Sequence, residues 1–451
     1  MQTTRSRATR LAGGVLLVPL VFTPTTAAAA VPHDAVRLVE LAPLPGDGTT
    51  FARDINDDGV IVGYSAEPGS LSPRRAVRWD VAGNPTDLGT LGGAVSTAMS
   101  VSANGLIAGS GQLANGAYHA VRWDRHGRIT DLGALAGGTT SGASDVAVDG
   151  TVVGSAIGPD GHGHAVKWDP RGHVIELPSP PGTEASWAGM VNSRGDVLGG
   201  ATTHLGVITA LRWDRDGTLT VLPDLGVNPS YGWGLAHDGT AVGQVDAYPV
   251  LWTRSGALVR LSGQRGNASA VGADGTVVGY VDDHAVRWDR RGKMTTLDTP
   301  PGGGMSWGRG VNTRRYTVGN TVRVDLGVGR AVRWDPDGRA VELTSPADAG
   351  DGGADKINDR GMIIGAFARL TGGARAVLWL RDGGTRRRPM TGARQSGGRS
   401  PRRLRGGRTF LCGSWWVHLN AGSGTACRSR CRRRSRCGLT PEVDRGLSRA
   451  R

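Results

Sequence analysis

Short runs of alternating apolar and polar residues, separated by turns rich in glycine and aspartate, follow one another along most of the chain. In the segment RAVRWDVAGNPTDLGTLGG, at residues 75–93, Val77 and Trp79 fall on one face of an extended strand. Arg78 and Asp80 fall on the other face. The VAGN segment supplies turn residues, because Asn tolerates left-handed backbone and Gly adopts positive φ. No segment has a 3.6-residue period, so the pattern predicts an all-β fold.

This strand–turn unit recurs eight times. Its tryptophan stands at Trp79, Trp123, Trp168, Trp213, Trp252, Trp288, Trp334 and Trp379. A second marker, the last glycine of G-x-ϕ-ϕ-G (ϕ apolar), recurs in step at Gly63, Gly109, Gly154, Gly199, Gly243, Gly279, Gly319 and Gly365. In the seventh copy Arg315 replaces the first glycine of this marker. Two markers in step through eight copies indicate a repeat architecture.

Each copy holds four short extended segments, which in the first copy are FARDIN, VIVGYS, AVRWD and PTDLGTL. Four strands per period of about 45 residues are typical of a β-propeller blade. We therefore predict a propeller of eight four-stranded blades over residues 31–383. Seven blades with one irregular pair is the alternative, because the fifth copy is short.

The two ends of the repeat region predict a closed ring. Residues 35–46, AVRLVELAPLPG, resemble the fourth strand of a copy, whereas the last copy has no clear fourth strand. The N-terminal strand would then complete the last blade and remove an exposed sheet edge. We expect the repeat tryptophans to pack between blades and not to contact a ligand.

The first 30 residues are typical of a secretory signal. Arg5, Arg7 and Arg10 precede an apolar run at residues 11–22, and small residues follow up to Ala30, where we predict cleavage. The run of about 12 residues is too short to span a bilayer, and no later stretch is long enough. We therefore expect a secreted protein, with an uncleaved anchor as the alternative.

The segment from residue 384 to 451 differs in composition from the repeats and contains all four cysteines. From residue 381 onward there are 19 arginines and three acidic residues, a charge of +16. Since the whole chain carries +14, the remainder carries −2. We hypothesise that this tail results from a frameshift. A disordered basic tail is the alternative, and no nucleic-acid binding is expected of the propeller.

The repeats resemble those of the HAF-repeat family of bacterial extracellular proteins, named for a His-Ala-Phe stretch. Here HAV stands in that place at His119, His164 and His284. In the other copies the histidine position is taken by Arg75, Thr209, Pro249, Arg330 and Arg375. The resemblance covers about residues 36–380. It implies no established activity, and the replacements indicate that the histidine is not a fixed functional group.

The repeats contain no catalytic signature. H-E-x-x-H is absent, and the body has no cysteine. His162 and His164 offer two imidazoles, but a Gly-rich loop is the favoured interpretation over a metal pair. The recurring carboxylates are expected to bond within turns: Asp57, Asp58, Asp149, Asp238, Asp274, Asp80, Asp124, Asp169, Asp214, Asp289 and Asp335. We predict no catalytic residue, metal or cofactor.

Four aromatic residues that are not part of the repeat form the candidate ligand site. Phe51, Trp187, Tyr231 and Trp307 each stand five residues before the N-x-x-G turn position. They would lie where the first strand of a blade begins, near one mouth of the propeller, where flat rings can stack on a ligand. Plugging the channel or packing between blades is the alternative role.

Taken together, the sequence predicts a secreted, monomeric, non-catalytic binding or scaffold protein. The loops between the second and third strands vary most between copies, and together with the aromatic position they form the expected site. Polysaccharide is the first candidate ligand and a protein the second. The alternative function is a glycan hydrolase or lyase with paired carboxylates at the propeller mouth.

Overall fold

The computed structural model describes residues 36–381, except residues 71, 227–228, 325–326 and 371, and the backbone of residues 410–411. The predicted signal at residues 1–30 lies outside the described residues, as does the predicted tail apart from that dipeptide. The described part of the chain is built from β-strands, with no helix long and apolar enough to cross a membrane.

Strand β1 (Val36–Glu40) precedes the first blade. Blade 1 contains β2 (Thr49–Ile55), β3 (Ile61–Ala66), β4 (Arg75–Trp79) and β5 (Pro85–Asp87). Blade 2 contains β6 (Gly92–Val101), β7 (Ile107–Leu113), β8 (Tyr118–Trp123) and β9 (Ile129–Asp131). Blade 3 contains β10 (Ser141–Val146), β11 (Val152–Ile157), β12 (Gly163–Trp168) and β13 (Val174–Glu176). Blade 4 contains β14 (Thr183–Val191), β15 (Val197–Thr203), β16 (Ile208–Trp213) and β17 (Leu219–Val221).

Blade 5 contains β18 (Ser230–Leu235), β19 (Ala241–Val245), β20 (Tyr248–Trp252) and β21 (Leu258–Arg260). Blade 6 contains β22 (Gly266–Val271), β23 (Val277–Val281), β24 (His284–Trp288) and β25 (Met294–Thr296). Blade 7 contains β26 (Gly303–Val311), β27 (Thr317–Arg323), β28 (Gly329–Trp334) and β29 (Ala340–Glu342). Blade 8 contains β30 (Ala349–Ile357), β31 (Ile363–Arg369) and β32 (Ala374–Arg381), completed by β1.

The eight blades form a closed ring. Each blade is an antiparallel meander, and its first strand contacts the first strands of both neighbouring blades, including β30 against β2. The first strands therefore surround the axis and the fourth strands lie at the periphery. The prediction of eight four-stranded blades is confirmed.

The fifth copy is short because of one turn and not because of a missing strand. Asp246 and Ala247 join the second and third strands of blade 5 with φ values of 45° and 63°. Asp282 and Asp283 do the same in blade 6, at 44° and 64°. Two consecutive left-handed residues form the tightest hairpin connection. Blades 5 and 6 consequently carry no projecting loop at this end of the propeller.

The N-terminal strand closes the ring as predicted. β1 pairs antiparallel with β32 over five residues, from Val36 opposite Arg381 to Glu40 opposite Val377. The short strand β33 (Phe410–Leu411) pairs with the first strand of blade 6, where Leu411 lies opposite Ala270.

The repeat tryptophans lie between blades and are at most 1% exposed. In seven of them the indole N–H donates to a carbonyl in the segment that leaves the preceding blade; the acceptors are Ala42, Leu88, Pro178, Pro223, Leu261, Asp298 and Thr344. Trp168 Nε1 is buried without an acceptor. In the segment that leaves the preceding blade, Gly133 O accepts the Ser141 hydroxyl at 2.6 Å. The sequence prediction for these residues agrees with this packing.

A second contact between blades uses a buried hydroxyl. In six of the eight junctions a Ser or Thr on the first strand accepts a hydrogen bond from a backbone N–H on the third strand of the preceding blade; these residues are Thr50, Ser96, Ser141, Ser186, Ser230 and Ser306. Between blades 5 and 6 the donor position is Pro249, which has no N–H, and the hydroxyl position is Gly266.

Candidate functional site

The four aromatic residues predicted to mark the site occupy one register in the structure. Each lies directly opposite the residue that follows the marker glycine of the second strand: Phe51 opposite Tyr64, Trp187 opposite Gly200, Tyr231 opposite Gln244 and Trp307 opposite Asn320. All four are half-buried. The structure therefore places them at one level of the innermost strands, in blades 1, 4, 5 and 7.

Two of these rings contact other rings that the sequence analysis did not identify. Tyr231 stacks on Trp233, with centroids 5.5 Å apart and planes at 9°. Trp307 meets Tyr280 of the neighbouring blade edge to face, at 6.4 Å. Trp233 and Tyr280 are also half-buried. Blades 5, 6 and 7 thus carry two ring pairs, Tyr231–Trp233 and Tyr280–Trp307, which together are called the aromatic arc.

The other two rings have different surroundings. Phe51 packs at a tilt against Tyr64 of its own blade, at 5.0 Å. The indole of Trp187 covers Gly200, where an added Cβ would lie 2.6 Å from the ring. Only glycine leaves room for the ring there, because the contact is far shorter than van der Waals distance.

Every innermost strand is interrupted by a β-bulge at the same place. The bulged residues are Arg53, Met99, Ser144, Gly189, Trp233, Ser269, Arg309 and Asp355. A bulge leaves its extra residue out of the ladder and re-aims its side chain. These eight positions carry no repeat signature, and sequence alignment of the copies did not single them out.

Polar groups beside the bulges link five consecutive blades. Lys356 of blade 8 pairs with Asp54 of blade 1 at 3.0 Å. The Ser100 hydroxyl of blade 2 lies 3.2 Å from Asp54 and 2.5 Å from Asp145 of blade 3. Asp145 in turn accepts the backbone N–H of Val191 in blade 4. Burial raises the pKa of Asp145, although its hydrogen bonds from Ser100 and Val191 lower it.

Arg53, the bulged residue of blade 1, forms no close ion pair among the described residues. Burial raises the pKa of Asp355, and the charge of Arg53 is one of those that lower it by a smaller amount. Arg309 pairs with Asp355 at 2.9 Å. Arg53 instead donates to the Tyr64 hydroxyl at 3.4 Å, and its Nε is buried without an acceptor. Its guanidinium lies 5.3 Å from the centre of the Tyr64 ring. Arg53 is therefore held by the Tyr64 side chain and interacts with Asp355 through its charge.

The histidine position of the HAF-like stretch forms a cross-strand contact. The side chain four residues before the tryptophan pairs with an acid on the neighbouring strand in five blades; the pairs are Arg75–Asp87, His119–Asp131, His164–Glu176, Arg330–Glu342 and Arg375–Glu40. In blade 5 the register places Tyr248, and not Pro249, at this position, which corrects the sequence assignment. The Arg260 guanidinium lies 3.7 Å from the Tyr248 ring centre, so a cation–π contact replaces the ion pair.

His164 is enclosed by two carboxylates. Its Nδ1 lies 2.7 Å from Glu176 and its Nε2 lies 3.0 Å from Asp160. Burial lowers the pKa of His164, but the two carboxylates outweigh it and raise that pKa above 6.5. His162 does not join this group, and the described residues contain no cluster of three or more potential metal ligands.

Most of the recurring aspartates bond within turns, as predicted. Asp80, for example, accepts the backbone N–H groups of Ala82 and Asn84. Asp57 and Asp58 differ, because they contact the corresponding turn of blade 8. Asp57 accepts the N–H of Asp359, and Asp58 pairs with the Arg360 guanidinium. These two carboxylates help to join the last blade to the first.

Comparisons with known proteins give structural similarity only. No model of a known protein family and no curated protein sequence matches the chain. A streptogramin B lyase structure is 15% identical, with a TM-score of 0.42 over 76% of this chain and 98% of that one. A puromycin hydrolase structure is 14% identical, with a TM-score of 0.42 over 73% and 62%. TolB from Acinetobacter baumannii is 14% identical, with a TM-score of 0.35 over 53% and 64%. At these identities and TM-scores, the similarities do not show what this chain binds or whether it catalyses a reaction.

Proposed function

We propose that this propeller is a non-catalytic binding module for extracellular polysaccharide, with the aromatic arc and its neighbouring loops as the ligand surface. The observation that carries the proposal is the arc of Tyr231, Trp233, Tyr280 and Trp307. Its rings are half-exposed on a rigid frame, beside the short turns of blades 5 and 6. Flat aromatic faces supply contact area to sugar rings at little conformational cost.

Polar groups near the rings support this function. Gln244 and Asn267 lie 3.2 Å apart between blades 5 and 6. Asn320 lies opposite Trp307. A few amides among aromatic rings are typical of small-molecule and glycan sites, where hydrogen bonds to hydroxyl groups fix orientation.

Calorimetric titration with oligosaccharides released from bacterial cell-wall glycan tests the proposal. We expect Trp233→Ala and Trp307→Ala each to weaken binding at least tenfold, because each removes a ring of the aromatic arc. Tyr118→Ala, on the third strand of blade 2, is the matched control and leaves the affinity unchanged. Unaltered binding by both tryptophan variants rejects the aromatic site, and protein ligands then become the next candidates.

A second candidate function is a glycan hydrolase or lyase, favoured by the Ser100 bridge between Asp54 and Asp145 and by the raised pKa of Asp145. Against it, Asp145 is 9% exposed and accepts hydrogen bonds on both oxygens. We expect no reducing-end or unsaturated product from the same oligosaccharides. Product that disappears in Asp145→Asn would establish the enzyme instead.

We further propose that the chain belongs with the HAF-repeat proteins, is exported with cleavage near Ala30, and acts as a monomer. The three-part composition of residues 1–30 supports export. Intact-mass measurement of the secreted protein tests the cleavage point. Peptide mass mapping of the same secreted protein tests the frameshift hypothesis, because peptides from residues 384–451 would reject it.

A further inference from the structure

One turn of the propeller has an arginine at a position where the other seven turns have glycine. The turn between the first and second strands carries a glycine of positive φ in seven blades: Gly59, Gly105, Gly150, Gly195, Gly239, Gly275 and Gly361. In blade 7 the same place is held by Arg315, at φ 63°. A left-handed conformation is disfavoured for a residue with a Cβ, and such outliers persist where another requirement outweighs the strain.

The Arg315 side chain lies at a surface groove. Its side chain lines a groove of about 470 Å³ between the turns of blades 6 and 7. The groove lies at the end of the propeller where first strands turn into second strands. The aromatic arc lies near the other end, where first strands begin, so the two surfaces are separate.

A second turn that differs from its counterparts in the other blades also lines this groove. The turn between the third and fourth strands of blade 6 reads DRRGK, with Arg290, Arg291 and Lys293 in one short turn. None of the corresponding turns in blades 1–5 and 7 has three Lys or Arg residues. All three side chains line the groove, and none has an ion-pair partner within the described part of the chain.

The charges of the groove are not balanced. Five cationic side chains and three carboxylates line it, an excess of two positive charges. Two of the carboxylates are already engaged. Asp274 contacts Arg315 at 3.4 Å and bonds Thr276, and Asp289 accepts the backbone N–H groups of its own turn.

A buried arginine forms the floor and holds the turn in place. Arg287 is 8% exposed and donates to the carbonyls of Arg315 and Asp335, at 2.7 and 3.2 Å. It also donates to Pro336 O. Burial lowers the pKa of Arg287, and the charge of Arg315 lowers it further, because the two cations lie close together. An anion in the groove would relieve this repulsion.

We propose that this groove binds a phosphate or sulfate group, with Arg290, Arg291, Lys293 and Arg315 as its ligands. Guanidinium groups present paired N–H donors that match the oxygens of a tetrahedral oxyanion. The same chemistry is available in a free anion and in an anionic polymer at the cell surface. The binding of polysaccharide at the aromatic arc is not required for this proposal.

The full-length protein tests it with Arg315→Gly, which restores the residue of the other seven blades. Thermal unfolding is followed with inorganic phosphate, inorganic tripolyphosphate and a sulfated oligosaccharide. A ligand that binds only the folded state raises the midpoint. Since 19 arginines also lie beyond residue 380, the midpoint shift and not total binding is the readout.

We expect tripolyphosphate to raise the midpoint of the wild type. Arg315→Gly is expected to raise the midpoint without ligand, because strain is removed, and to reduce the affinity at least fivefold. Arg128→Gln, on the blade 2 turn that corresponds to the DRRGK turn of blade 6, also removes one positive charge; it is the control and leaves the affinity unchanged. A shift with free phosphate identifies a free-anion site, and a shift with the sulfated oligosaccharide alone identifies a polymer site.

Two results would overturn the proposal. One is the absence of a midpoint shift with all three anions. The other is an Arg315→Gly protein that binds as the wild type does or melts at a lower temperature, since Arg315 would then serve the fold and not a ligand.

Discussion

At the scale of single residues, the repeat tryptophan both fills space between blades and satisfies a carbonyl of the preceding blade. Trp123 is fully buried and its indole N–H donates to Leu88 O at 2.7 Å. Trp168 is equally buried, but its N–H has no acceptor. The two residues therefore have similar packing and differ in one hydrogen bond.

This difference predicts unequal effects of the same substitution. Trp123→Phe and Trp168→Phe lose comparable apolar contact, but only Trp123→Phe leaves a buried carbonyl unsatisfied. We expect Trp123→Phe to reduce the free energy of unfolding by about 1–3 kcal/mol more than Trp168→Phe. Guanidinium-induced unfolding of both variants measures the difference. Equal losses would show that the indole hydrogen bond contributes nothing beyond packing.

At the scale of elements, the third strand of one blade is fastened to the first strand of the next by the buried hydroxyl. Ser306 accepts the N–H of Ala285 at 2.9 Å, and both residues are fully buried. Removing the hydroxyl leaves that N–H without a partner, because water has no access to it.

Ser306→Ala should therefore reduce the free energy of unfolding by about 1–3 kcal/mol. Ser306→Thr is the control, since Thr50 performs the same role between blades 8 and 1 with its hydroxyl 2.9 Å from Ala376 N. We expect the threonine variant to retain most of the stability in chemical denaturation. If alanine and threonine variants are equally unstable, the effect is steric and the hydrogen bond is not the cause.

The strands and blades are the part of the fold that could be predicted from the sequence. Strand existence, blade number and ring closure follow from the alternation, from the period of the tryptophans and from the fourth-strand likeness of residues 35–46. These features recur in eight copies, so a strand that is unclear in one copy can be recognised from the others. The assignment of Pro249 was wrong by one residue, because blade 5 has Tyr248-Pro249 where the other copies have His, Arg or Thr followed by Ala.

The candidate site was predicted less completely for a physical reason. Phe51, Trp187, Tyr231 and Trp307 share a register because they share a distance from a turn, which the sequence displays. Trp233 and Arg53 lie on bulges, which add one residue to a strand without a local signature. Tyr280 reaches Trp307 from the neighbouring blade, a contact that depends on blade-to-blade geometry and on no spacing within a copy.

At the scale of the whole molecule, the ring is closed in two different ways. The first and last blades are joined by the same kind of contacts that join other neighbours: Asn358 donates to Asn56 O at 2.8 Å, as Asn312 donates to Asn358 O at 3.1 Å. In addition, β1 supplies the outer strand of blade 8. The second closure makes the last blade depend on residues at the opposite end of the repeat region.

Deleting β1 together with Leu41 should therefore destabilise the entire ring. Val39 and Leu41 are 8% and 0% exposed, and their burial contributes about 3–6 kcal/mol in total. Blade 8 would also expose a sheet edge beside Trp379. Because each blade carries one buried tryptophan, fluorescence during guanidinium unfolding reports on all eight blades. We expect a lower midpoint and a broader transition, as blades 8 and 1 become free ends.

A circular permutant tests whether the β1–β32 pairing or the order of the blades along the chain keeps the ring closed. Val36 lies directly opposite Arg381, so an Asn-Gly turn can join Arg381 to Val36 as a tight hairpin. With new ends between Gly89 and Thr90, after the fourth strand of blade 1, every strand of the eight blades is retained. We expect this permutant to unfold in one transition, within about 1 kcal/mol of the parent protein, because surface connections contribute little to stability once the contacts are kept. A permutant as unstable as the deletion variant would mean that covalent order, and not the β1–β32 ladder, holds the ring closed.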